Sequence, residues 1–310
     1  MINWPYYNRS LVRRGEILFS YDFIDSWGSE IEIMNKNKKG KPFSFPNSFI
    51  LAIGYIRYSF HLPYRQTECI INATGKGLPG NSPSYGHICK RINKLNIDIK
   101  RKKIDDDDDD YVVISIDSTG IKITNRGQWM NEKWKVQNKK GYLKIHVAVD
   151  IKTKEILALE VTDEKVHDGR MLKKLANHML YSSSSNSSSS NSSSESNMVK
   201  VKSVLADGAY DSNANFRYLE DKKIKPCIKI RKNSIISIRN NRLRNKEVIL
   251  QSKDLLKWKR KRKYGHRWIA ETAFSTIKRT FGEYISATRF QNMVKEMMIK
   301  VSLYNLFRRL

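Results

Sequence analysis

Asp117, Asp207 and Glu271 are the residues whose types and settings suit metal-assisted chemistry at phosphorus. Asp117 closes the apolar run Tyr-Val-Val-Ile-Ser-Ile-Asp (111–117). Asp207 closes a second run, Ser-Val-Leu-Ala-Asp (203–207), and is followed by Gly-Ala-Tyr-Asp-Ser. Glu271 lies inside a basic helical stretch, 264–278. Magnesium is a hard ion that prefers carboxylate oxygens and keeps several waters. Two such ions about 4 Å apart activate an attacking oxygen and stabilise a leaving one. Carboxylates from separate elements must then meet at one point, which two strand-terminal aspartates and one helical glutamate can do. Taken singly, each aspartate also reads as a strand-ending turn residue.

The Glu271 stretch carries a further regularity. Relative to Tyr264, the residues Arg267, Glu271 and Lys278 are offset by 3, 7 and 14 positions. At roughly 100° per residue, all four fall within an arc of about 60° on one helix. A carboxylate flanked by two cations and a phenol is not a core stripe. It fits a metal ligand beside groups that clamp phosphate. Ile269, Ala273, Thr276 and Ile277 lie off the arc and are expected to pack.

The elements that must position these residues follow in order. Strands are expected at 111–117, 142–150 and 155–162, a helix at 168–180, a strand at 201–206, a helix at 213–222, a strand at 226–230 and helices from about 264. This order resembles an RNase H-like α/β domain. The expected organisation is a small, mostly helical N-terminal domain (1–103), an acidic linker (104–111) and an RNase H-like catalytic domain (112–310). The catalytic domain would carry a Ser-rich insertion (181–197) and a basic segment (231–263). Six consecutive aspartates at 105–110 repel one another and read as a solvated linker, with a metal-binding acidic cluster as the alternative. The Ser/Asn run at 182–194 has no core-forming residues. In the first unit, Tyr64 to Ala73 reads as a helix stopped by Gly75. Ser82-Pro83 reads as the start of a second helix, with Tyr85, Ile88, Ile92 and Leu95 on its apolar face and Lys90, Arg91 and Lys94 off it. A helix-turn-helix that uses those three cations on DNA and a plain helical bundle both fit.

The net charge is +27 over 310 residues. Such a charge implies a polyanionic partner, most commonly nucleic acid, with a basic housekeeping protein as the alternative. Residues 201–310 hold 27 Lys/Arg against 9 Asp/Glu, a net +18. The segment 231–263 concentrates this charge, including Lys259, Arg260 and Arg262, against only Glu247 and Asp254. Such a run contacts phosphate backbones in a salt-dependent way or is a basic loop without a defined role. Cys69, Cys89 and Cys227 lack metal-type spacing and read as reduced thiols. The chain shows no signal-peptide pattern and no apolar run near the roughly 20 residues of a membrane span. A cytoplasmic or nucleoid-associated location is expected, without membrane contact.

Other residues near these motifs admit two readings. Asp211 reads as a helix cap or as a group supporting the site. Ser118 and Thr119 either orient Asp117 or shape its turn. Asp168 reads as a helix N-cap, and His167 as structural. Trp129 and Trp134 either stack on an unpaired base or are buried.

The spacing Tyr264-x2-Arg267-x3-Glu271-x6-Lys278 resembles the YREK signature of DDE insertion-sequence transposases. The segments Ile116-Asp117-Ser118-Thr119-Gly120, Arg126-Gly127-Gln128-Trp129, 142–150 and Ala206-Asp207-Gly208-Ala209-Tyr210-Asp211-Ser212 are similar to the same family. Leu62-Pro63-Tyr64-Arg65-Gln66 resembles the leader domain of its insertion-sequence-five branch. The Ser tract and the Asp run depart from the family pattern. The resemblance implies a transposase that binds the inverted-repeat ends of its element, cleaves DNA and joins the 3′ end to target DNA, with one active site for both steps. It also implies two Mg2+ (or Mn2+) ions held by Asp117, Asp207 and Glu271, phosphate contacts from Arg267, Lys278 and Tyr264, and a homodimer on double-stranded DNA. An RNase H-like nuclease without strand joining, and a domesticated or inactive DNA-binding protein, are the alternatives.

Overall fold

A computed structural model describes residues 3–75, 78, 79, 81–97, 99, 111–123, 141–181 and 200–310. The aspartates at 105–110, Arg126 to Trp129, Trp134 and the Ser-rich run 182–194 lie outside the described residues. The chain forms two compact units. One comprises Met1–Asp98 with Arg279–Leu310, and the other Ile99–Lys278. The segment Arg279–Leu310 thus packs with the N-terminal helices.

The second unit is a mixed α/β layer structure. Its strands are β1 (Tyr111–Ile123), β2 (Tyr142–Asp150), β3 (Ile156–Asp163), β4 (Lys200–Ala206) and β5 (Lys225–Ile228). They are ordered β3-β2-β1-β4-β5. The first three pair antiparallel, and β1–β4 and β4–β5 pair parallel. The strands sit where Val, Ile and Leu recur, as β-branched and aliphatic side chains favour. β1 runs six residues beyond the expected end, because residues as far as Lys122 keep antiparallel partners on β2 after β4 has stopped. Asp117 therefore lies within β1, at the point where the strand passes the end of β4.

Strand alternation divides the side chains between two faces. Val112, Ile114 and Ile116 of β1 share a core with Val204, Ala206 and Ile228. That core includes Leu172, Leu175, Ala176 and Met179 from α6 (Met171–Tyr181). Phe216 and Leu219 come from α7 (Asn213–Asp221). Ser115 and Asp117 alternate to the other face, where the Ser115 hydroxyl donates to the Arg267 carbonyl at 2.9 Å.

The basic segment is folded. It forms α8 (Arg242–Lys253) and α9 (Leu255–Lys261), followed by a 3-10 turn (Tyr264–Arg267) and α10 (Trp268–Phe281). Buried Glu247 organises it by accepting from the Trp258 indole N–H and from Arg262. Arg262, expected on DNA, is thereby engaged internally.

The first unit contains α1 (Trp4–Leu18), α2 (Trp27–Asn35), α3 (Asn47–Ser59), α4 (Tyr64–Thr74), α5 (Tyr85–Lys94) and α11 (Phe290–Arg308). Phe23, Trp27, Phe45 and Phe49 form an aromatic cluster. α4 ends at Gly75, as expected. The N-cap of α5 is Ser84, not Ser82. Ile88, Ile92 and Leu95 are buried, but Tyr85 is exposed. Arg91 does not face solvent. It is buried, donates to Asn47 Oδ1 at 2.9 Å and lies over the Phe43 ring. A guanidinium so partnered fits a packed interior better than a phosphate contact. Lys90 and Lys94 are exposed.

Removing the Glu247 carboxylate leaves both Arg262 and the Trp258 indole unpartnered. Glu247→Ala is expected to lower the unfolding free energy by about 3–5 kcal/mol, the usual effect of breaking a buried ion pair. Urea denaturation of the two proteins measures this.

Candidate active site

The parallel pairing of β1 with β4 brings the two aspartates together. Val113, Ile114 and Ser115 pair in register with Ser203, Val204 and Leu205. Continuing that register by two residues sets Asp117 beside Asp207. Asp117 alternates with Ser115, and Asp207 with Leu205, which lies outside the α6–α7 core. Beyond the strand, Asp207 Oδ1 accepts from the Ala209 N–H at 2.9 Å and caps the 3-10 turn Gly208–Tyr210.

Glu271 comes from the first turn of α10, and Arg267 joins it to Asp117. The guanidinium donates to Asp117 Oδ2 at 3.2 Å and, through its other Nη, to Glu271 Oε1. The Asp117 side chain is 16 % exposed and that of Glu271 54 %, so the glutamate is the solvent-facing end of the cluster. Lys278 Nζ donates to Thr119 Oγ1 at 2.9 Å, on the same face of β1 as Asp117. The pKa of Asp117 is raised. Burial is the largest cause, and the charges of Asp207 and Glu271 add to it, against the Ser118 N–H and Arg267, which lower it.

The four residues of the expected helical arc do not share one α-helix. Tyr264 and Arg267 belong to the 3-10 turn, and only Glu271 and Lys278 lie in α10. Tyr264 is buried, and its hydroxyl donates to the Ala206 carbonyl at 3.2 Å. Burial pushes its pKa up to about 12. In this arrangement it pins the turn to the end of β4, next to Asp207, and its hydroxyl is not presented to a phosphate or to Glu271. Lys259 is half-buried and Arg260 exposed.

Asp211 does not cap α7. Ser212 caps α7 by accepting from the Asn215 N–H. Asp211 instead receives Arg244 through two bonds of 2.7 and 3.1 Å, together with the Arg231 N–H and the Ser234 hydroxyl. It ties the Asp207 loop to α8. Asp168 is likewise not a cap. His167 caps the turn Asp168–Arg170, while Asp168 accepts from the Ser118 hydroxyl at 2.7 Å and pairs with Lys144 at 2.8 Å. Lys144 was not singled out from the sequence. Its signal was legible, since Lys144 and His146 are two residues apart within an otherwise apolar strand, and so share one face.

The donor set suits a hard divalent ion in its chemistry. It offers three carboxylates, two of them adjacent in register, against the one guanidinium between Asp117 and Glu271. Lys278 adds a second cation on that face, and three carboxylates against these two cations leave it net negative. The carboxylates are not closed around a common point. Among the described residues no three His, Cys, Asp or Glu groups are gathered closely enough to hold an ion, and Arg267 and the Ala209 N–H engage oxygens of Asp117, Glu271 and Asp207. With those contacts exchanged for an ion, the residue types and their shared face fit.

A family model described as Transposase DDE domain matches residues 108–306, well over half of the chain. The chain belongs to the transposase DDE-domain family. A second model with the same description matches residues 12–126. Two solved structures are similar over part or most of the chain. The Drosophila P element transposase strand transfer complex is 13 % identical, covering 64 % of this chain and 44 % of that one, at a TM-score of 0.32. The piggyBac transposase synaptic complex with hairpin DNA is 10 % identical, covering 96 % and 74 %, at 0.41. This chain therefore spans less than half of the P element protein. Both scores are low, and neither likeness bears on the family assignment. No helix among the described residues is long and apolar enough to cross a membrane.

Burial pushes the Asp211 carboxyl up, but Arg244, the Arg231 N–H and Ser234 outweigh it and hold the pKa below the ordinary aspartate range. A folded-state pKa below the unfolded value of about 4 contributes stability that is complete above that pH and is lost as pH falls below it. Wild type is expected to lose unfolding free energy as pH falls below about 4, and Asp211→Asn to lose less over the same range. Denaturant titrations at several pH values check this.

Proposed function

We propose that this protein is a DNA transposase of the insertion-sequence-five type, with Tyr264, Arg267, Glu271 and Lys278 as its YREK signature and an RNase H-like catalytic fold. One observation carries the proposal. In a chain of the transposase DDE-domain family, Asp117 lies in β1 and Asp207 directly follows the parallel neighbour β4, and Arg267 links Asp117 to Glu271. The strand order β3-β2-β1-β4-β5, antiparallel and then parallel, supports the fold.

Asp117, Asp207 and Glu271 are proposed to hold two Mg2+ or Mn2+ ions. Bound there, the ions would supply Lewis acidity at a scissile phosphate and a more acidic attacking water. The protein's own groups do the rest. Rigid strand pairing fixes the separation of the aspartates. Glu271, on the first turn of α10, closes the cluster from the solvent side. Arg267 and Lys278, on the same face, offer cations to DNA phosphates, and Tyr264 positions the turn that carries Arg267. The exposed Lys90, Lys94 and Arg260, with Lys259, are proposed to contact the DNA backbone, giving affinity that falls with salt. Arg91 and Arg262 have internal partners and are not part of that surface. Two element ends must be processed together, so at least two protomers are proposed to act on DNA.

The test is incubation with DNA that bears the element's terminal inverted repeat, with Mg2+ or Mn2+. Wild type is expected to nick at the end and to join the exposed 3′ end to target DNA. Glu271→Gln is expected to lower nicking by more than about 100-fold, beyond the usual effect of losing an outer partner of a metal ligand, with end binding retained. Nicking without joining would favour a nuclease. Binding without nicking in wild type under both metals would favour an inactive DNA-binding protein.

A further inference from the structure

The turn Asp168–Arg170 connects the two aspartate-bearing strands from the side of the sheet opposite the carboxylates. Ser118 follows Asp117, so its side chain alternates to the α6 face. There its hydroxyl donates to Asp168 Oδ1 at 2.7 Å. The Ser118 backbone N–H donates to Asp117 Oδ1 at 2.9 Å. One residue thus joins Asp168 to the Asp117 carboxylate through two consecutive hydrogen bonds.

The same turn is fixed to the loop after Asp207. Asn215, buried, donates through its side-chain amide to the Gly169 carbonyl and to the Tyr210 carbonyl, both at 2.9 Å. The two backbones approach so closely at Gly169 that a β-carbon there would stand 2.9 Å from the Ala209 carbonyl oxygen. Only glycine fits without a shift of one loop against the other. Asp168 is thus a charged group, held by Lys144 at 2.8 Å, in a turn that touches the neighbour of one aspartate and the loop of the other. Two buried polar atoms on this side have no hydrogen-bond partner among the described residues, His146 Nδ1, 3.5 Å from Asp168 Oδ1, and the Tyr210 hydroxyl. Burial lowers the His146 pKa to about 4, so the imidazole is neutral and Lys144 supplies the positive charge.

We infer that Asp168 is a positioning residue, which sets the orientation of Asp117 relative to Asp207 by holding the Ser118 hydroxyl and anchoring the Asp168–Arg170 turn between the two strands. The inference rests on the proposed carboxylate metal site and adds a residue outside it. Asp168 acts through Ser118 and is not itself a ligand. Two strand ends alone fix backbone separation to within the play of a sheet. Carboxylate orientation needs a side-chain hydrogen bond, as metal-ligating groups generally do.

The test compares wild type with Asp168→Ala, Asp168→Asn and Ser118→Ala. Mn2+ binding is read by electron paramagnetic resonance in the absence of DNA, and melting temperature is read with and without Mn2+. Asp168→Ala is expected to weaken Mn2+ binding by about 10- to 100-fold and to shrink the Mn2+-induced rise in melting temperature. Asp168→Asn keeps an acceptor for Ser118 and should recover much of the loss. Ser118→Ala, a smaller change, should reproduce the direction of Asp168→Ala and serves if that variant does not fold. Mn2+ affinity unchanged in Ser118→Ala and in any folded Asp168 variant would overturn the inference, as would an Asp168→Asn variant no better than alanine. Wild type that binds no Mn2+ would instead overturn the metal-site reading, and the inference with it.

Discussion

Three carboxylates brought to one face of a sheet repel one another, and the protein offsets that repulsion with the guanidinium of Arg267. Its planar fork can engage two acids at once, and here it takes Asp117 from β1 and Glu271 from α10. Its position is itself determined from several sides. Its carbonyl accepts from Ser115, two residues before Asp117, and Tyr264 fastens the start of its turn to the last residue of β4. The raised pKa of Asp117 shows that burial and like charge outweigh the compensation a single cation gives. Such a cluster is a place where more positive charge is favourable, whether it arrives as metal or as the basic side chains around it.

The parallel pairing of β1 and β4 supplies the other constraint. Parallel strands need a long crossover, and here α6 fills that role and packs its apolar stripe on the face away from the acids. The face that carries Asp117 also buries apolar side chains, among them Ile145, Val147, Val149 and Leu205. Asp211 extends the arrangement by tying the loop after Asp207 to Arg244 of α8, so the basic segment is folded against the site by an ion pair.

Much of this was legible in the sequence. Four of the five strands were marked by recurring Val, Ile and Leu, with Asp207 directly at the end of one, whereas β5 reads Lys-Pro-Cys-Ile. Asp117 also closed an apolar run, but the strand continues through Ser118, Thr119 and Gly120, because β2 goes on pairing where hydrophobicity has already stopped. The spacing of Tyr264, Arg267, Glu271 and Lys278 located the right stretch and misjudged its geometry. A 3-10 turn replaces the first helical turn and directs the tyrosine inward. Arg91 and Arg262 looked like surface cations because a one-dimensional pattern does not reveal the Asn47 amide, the Phe43 ring or the Glu247 carboxylate that receive them. Asp168 read as a helix N-cap and not as a partner of Ser118, since that contact joins positions 50 residues apart. The placement of the C-terminal helix with the N-terminal helices follows from tertiary packing that no local signal encodes.

Where in the chain a bound metal sits decides whether the three carboxylates share one site. Substitution of the divalent ion by Fe2+, followed by peroxide and ascorbate, generates hydroxyl radicals that cut the polypeptide near the ion. A metal held jointly gives three sets of cuts, next to Asp117, Asp207 and Glu271, that disappear together on competition with Mg2+. Cuts confined to the aspartates at 105–110, or cuts at only one of the three positions, would contradict a shared carboxylate site.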